Sequence, residues 1–267
     1  MEVGWVGEGG AGARRGRWRC VATYSAVGAP GWSVRHGGVG LDEGNAVAFD
    51  ASGNVVVTGD FSGTADFGGG DLTSVGYDVF IASYAAGDGA HRWSARYGGA
   101  GSDVGSGVAA DASGDLFVVG NFGGIVNFGG SDLTSAGEND VFVASYAADG
   151  AHRWSQRHGG TLWDVATAVA VDGNGAVVVT GHFKGTTNLG GGDLTSAGGS
   201  DVFVASYTPG GTHRWSERFG GPLSDESALV AADGAAVAIV GDLDEWIDFG
   251  GGPIPGVLAG FVAVLAP

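Results

Sequence analysis

His152-Arg153-Trp154-Ser155-Gln156-Arg157-His158-Gly159-Gly160, followed by Asp164, is the stretch whose reading decides the fold. Its Trp recurs at Trp32, Trp93, Trp154 and Trp215, each 61 residues after the last. Gly28, Gly89, Gly150 and Gly211 keep the same period before the phrase, and Asp42, Asp103, Asp164 and Asp225 keep it afterwards. A fixed period of this length marks a repeat architecture in which each unit buries its apolar face only against its neighbours.

Within one period the stations follow a constant order. A run of small apolar residues (Val47-Ala48, Val108-Ala109, Val169-Ala170, Val230-Ala231) closes on Asp50, Asp111, Asp172 and Asp233. A tight Asp/Gly turn leads to a second run, Val55-Val56-Val57-Thr58-Gly59 in the first unit. A longer connection carries Phe67-Gly68-Gly69 and Asp71-Leu72-Thr73-Ser74, enough for a short extra hairpin. The third run is Asp78 to Tyr84, echoed by Val141 to Tyr146 and Val202 to Tyr207, and the Trp-bearing run is the fourth. Val- and aromatic-rich runs bounded by Gly and Asp are strands, and their unbroken apolar character implies that both faces are covered. No segment carries a capped 3.6-residue apolar period, so helix is not expected.

Four strands per period, about four times over, predict an all-β fold: a β-propeller of four blades, each of four antiparallel strands. The blades run over 42–98, 103–159, 164–220 and 225–265, the last joined by 31–38. The phase requires this, because the chain opens on third and fourth strands and closes on a third, Phe261 to Leu265. Pairing 31–38 with that strand closes the ring and removes exposed edges. A slice of a larger ring would leave the same surplus strand at Val21 to Tyr24. Residues 1–19, Gly- and Arg-rich, are expected to form a flexible tail, and 20–267 a single propeller domain.

Bulk properties narrow the function. The net charge is −17, and four of the 12 basic residues (Arg14, Arg15, Arg17, Arg19) precede the repeats. A body this acidic does not suit nucleic acid. One Cys excludes an intramolecular disulfide, no run is long and apolar enough for a membrane span, and residues 1–19 lack a secretory apolar core.

The signature Asp50 to Gly59 (D-x-x-G-x-V-x-V-T-G), with D-V-F-V-A-S-Y and W-S-x-R-x-G-G, resembles the bacterial SBBP-type β-propeller repeat over residues 20–267. The resemblance implies the propeller fold and an extracellular or cell-surface setting. It implies no common activity and no catalytic residues.

The four Asp at 42, 103, 164 and 225 are candidates for a Ca²⁺ site at one mouth of the channel, since carboxylate oxygens suit that ion. They are equally candidates for turn caps or for pairs with Arg35, Arg96, Arg157 and Arg218, and the shared period favours those roles. No cofactor other than Ca²⁺ is suggested. Departures from the repeat point to ligands: Trp163 where other units have Leu41, Ser102 and Ser224; His182 where they have Asp60, Asn121 and Asp242; and Trp246 beside Glu245 and Asp248. An indole beside polar groups can stack on a sugar ring. No G-x-S-x-G elbow, H-E-x-x-H or phosphate loop is present. The sequence therefore points to a non-catalytic binding or scaffold module for a protein or carbohydrate partner. A carbohydrate-binding module using Trp163 or Trp246, and a hydrolase or lyase built on His182, are the alternatives.

Overall fold

The computed structural model describes residues 2–5, 19–256 and 258–265. It opens with β1 (Glu2–Trp5), β2 (Arg19–Tyr24) and β3 (Pro30–Gly38), paired in that order. Blade I comprises β4 (Asp42–Phe49), β5 (Val55–Asp66), β6 (Asp71–Tyr84) and β7 (His91–Tyr97). Blade II comprises β8 (Val104–Ala110), β9 (Leu116–Asn127), β10 (Asp132–Tyr146) and β11 (His152–His158). Blade III comprises β12 (Asp164–Val171), β13 (Val177–Asn188), β14 (Asp193–Tyr207) and β15 (His213–Phe219). Blade IV begins with β16 (Glu226–Ala232) and β17 (Val237–Leu243), continues through a small hairpin of β18 (Trp246–Asp248) and β19 (Pro253–Pro255), and ends with β20 (Ala259–Leu265). All ladders within the blades are antiparallel, no helix is present among the described residues, and the four sheets are arranged as a four-bladed β-propeller.

Local chemistry explains each element. Asp50 accepts hydrogen bonds at Oδ1 from the backbone N–H of Ser52 and Asn54, both 2.8 Å, which caps the turn between β4 and β5. Asp111, Asp172 and Asp233 cap their turns in the same way. These loops, whose sequence resembles the start of an EF-hand, are hairpin turns. The extra hairpin is an outward extension of the second and third strands, pairing Thr64 with Thr73 and Asp66 with Asp71 beyond a bulge. Glycine is required where a second strand meets the innermost one. A Cβ on Gly59, Gly120, Gly181 or Gly241 would overlap the carbonyl of Glu43, Val104, Val165 or Glu226.

The core lies between sheets. One apolar cluster joins Val21 and Trp32 to Phe61, Phe80 and Tyr84 of blade I. A second joins Val56, Val79 and Ile81 to Leu116, Phe122 and Phe142 of blade II. A third joins Phe117, Val119 and Val141 to Val177, Phe183 and Phe203 of blade III. The fourth joins Val178, Val202 and Phe219 to Ile239, Leu243 and Phe261 of blade IV. Strands of blades II and III are thus covered on both faces, as their unbroken apolar runs require.

The N-terminal strands pair locally. Residues 2–5, read as part of a flexible tail, form β1 and pair with β2; residues 6–18 lie outside the described residues. Among the described residues the strand 31–38 pairs with β2 and with the end of β5, and not with β20. The Ser25–Ala29 turn folds β3 back on β2, and Gly37 and Gly38 pair with Asp66 and Ala65 of β5. A hairpin closed over a few residues costs far less chain entropy than a pairing across the whole chain. In addition, Ala259 occupies the station where blade III has Asp201, the partner of an outer-strand Arg. Among the described residues β20 ladders only with β17, and no fifth apolar cluster joins blade IV to the N-terminal sheet.

Candidate functional site

The four periodic Asp residues stay apart, one at the start of each blade. The Oδ2 atoms of Asp42, Asp103, Asp164 and Asp225 accept the backbone N–H of Gly38, Gly99, Gly160 and Gly221 at 2.9, 2.8, 2.7 and 2.8 Å. Each is buried, and each fastens the end of one outer strand to the start of the next blade. Burial pushes Asp103 and Asp164 up to about 6 and raises Asp42 and Asp225 as well, because a carboxylate removed from water favours its neutral form. Among the described residues no three His, Cys, Asp or Glu side chains gather to hold a metal ion.

The Arg partners are different carboxylates, which the sequence reading missed. Arg96, Arg157 and Arg218 bond Asp78, Asp140 and Asp201, the fully buried residues that open the inner part of each third strand. The signal was present as the Asp of D-V-F-V-A-S-Y, which recurs after 62 and then 61 residues beside an Arg that recurs every 61. Arg96 and Arg157 also act weakly, through charge alone, on Asp103 and Asp164 of the following blades.

Outer-strand His residues are also structural. His91, His152 and His213 lie 3.1 Å through Nε2 from Ser94, Ser155 and Ser216. Their rings cover the Gly68-Gly69, Gly129-Gly130 and Gly190-Gly191 turns. Among the described residues no carboxylate is hydrogen-bonded to any of these three rings, although the Asp66 charge acts on His91, and their identity across blades marks a packing device.

The positions that depart from the repeat fall in two places. His182 pairs across the sheet with Val165, and Glu226 of blade IV is the acidic group nearest in effect. Burial lowers the His182 pKa, with Glu226 opposing and Lys184 reinforcing the shift. Trp163 stands at the same end of blade III, 49% exposed, where its carbonyl accepts the Lys184 N–H at 3.0 Å. Trp246 lies elsewhere, in a cleft of about 820 Å³ between blades III and IV.

That cleft is lined from both blades. Trp215 and Phe219 of β15 line it from blade III; Trp246 and Phe249 line it from blade IV. Arg214 and Arg218 bring positive charge, while Asp172, Glu217 and Asp248 bring negative charge. Val264 and Leu265 of β20 complete the wall. Aromatic surface with charges of both signs suits a ligand held by stacking, backbone hydrogen bonds and ion pairing. Sequence reading found Trp246 by its departure from the repeat, but Trp215 looked like any other repeat Trp.

Likeness to known proteins is limited. No family model matches the chain. A stretch of 110 residues is 30% identical to the Regulatory protein FlaEY of Caulobacter vibrioides, covering 39% of this chain and 11% of that protein. The chain therefore spans about a tenth of the length of the curated relative it matches. A crystal structure of a protein of unknown function from Bacteroides caccae resembles it with a TM-score of 0.43 and 12% identity, covering 92% of this chain and 70% of that one. No helix among the described residues is long and apolar enough to cross a membrane.

Proposed function

We propose that this chain is a non-catalytic propeller module that binds or scaffolds a partner through the cleft between blades III and IV. The observation that carries the reading is the cleft itself, where four aromatic side chains and both signs of charge meet beside the last blade. Support also comes from what the repeat positions do: the periodic Asp, His and Arg residues are engaged in holding blades together. The SBBP-type resemblance adds a bacterial cell-surface setting to the proposal.

A second reading rests on Trp163. It is half exposed where the equivalent residues are Leu41, Ser102 and Ser224, and it suits stacking on a sugar ring. A thermal-shift screen of the full chain against oligosaccharides and peptides tests both. A ligand at a hundred times its dissociation constant adds about 2.7 kcal/mol of stability. A shift lost in Trp246→Ala supports the cleft, and a sugar-induced shift lost only in Trp163→Ala supports the second reading. Turnover of a substrate that depends on His182 would refute both.

A further inference from the structure

We infer that one end of blade III, around Trp163, His182 and Lys184, is a binding site for a saccharide that carries a single carboxylate, of the uronate class. This rests on the second reading, that Trp163 stacks on a sugar ring, and names the class of sugar. Three features carry it.

The first is convergence. Trp163, His182 and Lys184 each depart from the repeat. The matching stations are Leu41, Asp60 and Ser62 in blade I, Ser102, Asn121 and Gly123 in blade II, and Ser224, Asp242 and Asp244 in blade IV. The ladder between β12 and β13 brings the three together. Asp164 pairs with Phe183 and Val165 with His182. The Lys184 N–H bonds the Trp163 carbonyl at 3.0 Å, which extends that ladder by one pair. Side chains two residues apart on a strand share a face, and directly opposite ones stand about 5 Å apart at Cβ. The indole, the ammonium and the imidazole therefore share one face of the sheet.

The second is availability. Trp32, Trp93 and Trp154 donate Nε1–H to the carbonyls of Ala86, Ala148 and Pro209 at 3.0, 3.0 and 2.9 Å. Each acceptor lies in the turn that leads into the next blade's outer strand. Trp163 has no such bond among the described residues and belongs to none of the four apolar clusters. Lys184 is the only Lys in the chain. It is exposed, and its ammonium makes no ion pair or hydrogen bond among the described residues. The His182 ring makes no hydrogen bond there either, and its Nδ1 atom is buried.

The third is the chemistry that these groups call for. An indole N–H and an ammonium are donors only, so the occupant must bring acceptors, and the ammonium calls for an anion. A lone Lys in a chain of net charge −17 limits that charge to one, because the surrounding surface repels a polyanion. The flat indole calls for the C–H face of a pyranose ring. Glu226, exposed on blade IV and acting by its charge on His182, can accept from sugar hydroxyls. A sugar ring bearing one carboxylate meets all of these demands. An acidic peptide offers the anion but not the flat face.

Isothermal titration calorimetry of the full chain near neutral pH tests this with three probes. They are a trisaccharide ending in one glucuronate, the same trisaccharide with that carboxyl reduced to an alcohol, and a short Glu-containing peptide. The glucuronate probe should bind about fivefold more tightly than its reduced form, as one exposed ion pair allows. Lys184→Gln should bind the two saccharides equally, and Trp163→Ala should bind neither. Both variants should melt at the wild-type temperature, because the bond that joins the two residues is a backbone bond. Equal affinities in the parent, or a preference that survives in Lys184→Gln, overturn the uronate assignment and leave the stacking reading in place. Binding of neither saccharide, or binding unchanged in Trp163→Ala, overturns both. A peptide that displaces the glucuronate probe and fails to bind Trp163→Ala overturns the assignment in favour of an acidic peptide.

Discussion

Replacing His158 with Phe should remove a specific loss of stability in acid. His158 ends β11, is 7% exposed and packs on Tyr207 with ring centroids 5.0 Å apart, while its Nε2 atom has no hydrogen-bond partner. Burial first, and then the cations of His213 and Arg157, push its pKa from 6.5 down to about 4. The unfolded chain therefore takes up a proton below pH 6.5, but the folded chain does not until about pH 4. Stability from this group is present above pH 6.5 and is lost as the pH falls towards 4. The full difference of 2.5 pKa units corresponds to about 3.4 kcal/mol, of which about 2.6 kcal/mol is lost by pH 4.5. Phe cannot titrate, and the equivalent station already accommodates Tyr97 and Phe219. Urea unfolding of both proteins at pH 7.5 and 4.5 gives the measurement. The advantage of His158→Phe should grow by about 2–3 kcal/mol between the two. Asp103 and Asp164, pushed up to about 6, act with the opposite sign, since their stabilisation is lost as the pH rises through 6. Both are common to the two proteins, so they cancel in the difference. An advantage constant within about 0.5 kcal/mol would refute the reasoning.

Two further outcomes follow from the blade interfaces. Trp93→Ala should cost about 3 kcal/mol in urea unfolding, through lost packing and loss of the bond to Ala148, whereas Trp93→Phe, which keeps much of the ring but not the bond, should cost about 1–2 kcal/mol. A Phe variant as stable as the parent would mean the indole bond contributes nothing. Gly120→Ala sets a Cβ against the Val104 carbonyl and the Phe142 ring and should cost about 3 kcal/mol or more; a loss below about 1 kcal/mol would show that β8 and β9 can separate freely.

The propeller was legible because strand periodicity, turn chemistry and a 61-residue repeat agree at every level. The capping role of Asp164 was legible for the same reason, since its Gly160 partner recurs with it. The place of 31–38 was not. Its sequence matches an outer strand wherever one is needed, and only the competition between a local hairpin and a distant edge decides where it pairs. The partners of Arg96, Arg157 and Arg218 were not legible because two Asp series recur at nearly the same spacing, and sequence alone does not say which series faces the guanidinium. The cleft was hidden because Trp215, a regular member of the repeat, carries no sign in the sequence that it faces Trp246 across two blades.

The forward reach of the indoles has an evolutionary consequence. Trp93 grips the turn of the blade that follows, and Trp154 grips the equivalent turn of the next, with the same bond and nearly the same distance. Every internal joint is thus cut to one pattern, like identical bricks with a stud on one side and a socket on the other. A recombination that removes or inserts one whole period in the gene leaves each stud facing a valid socket. Blade number can change in a single genetic step.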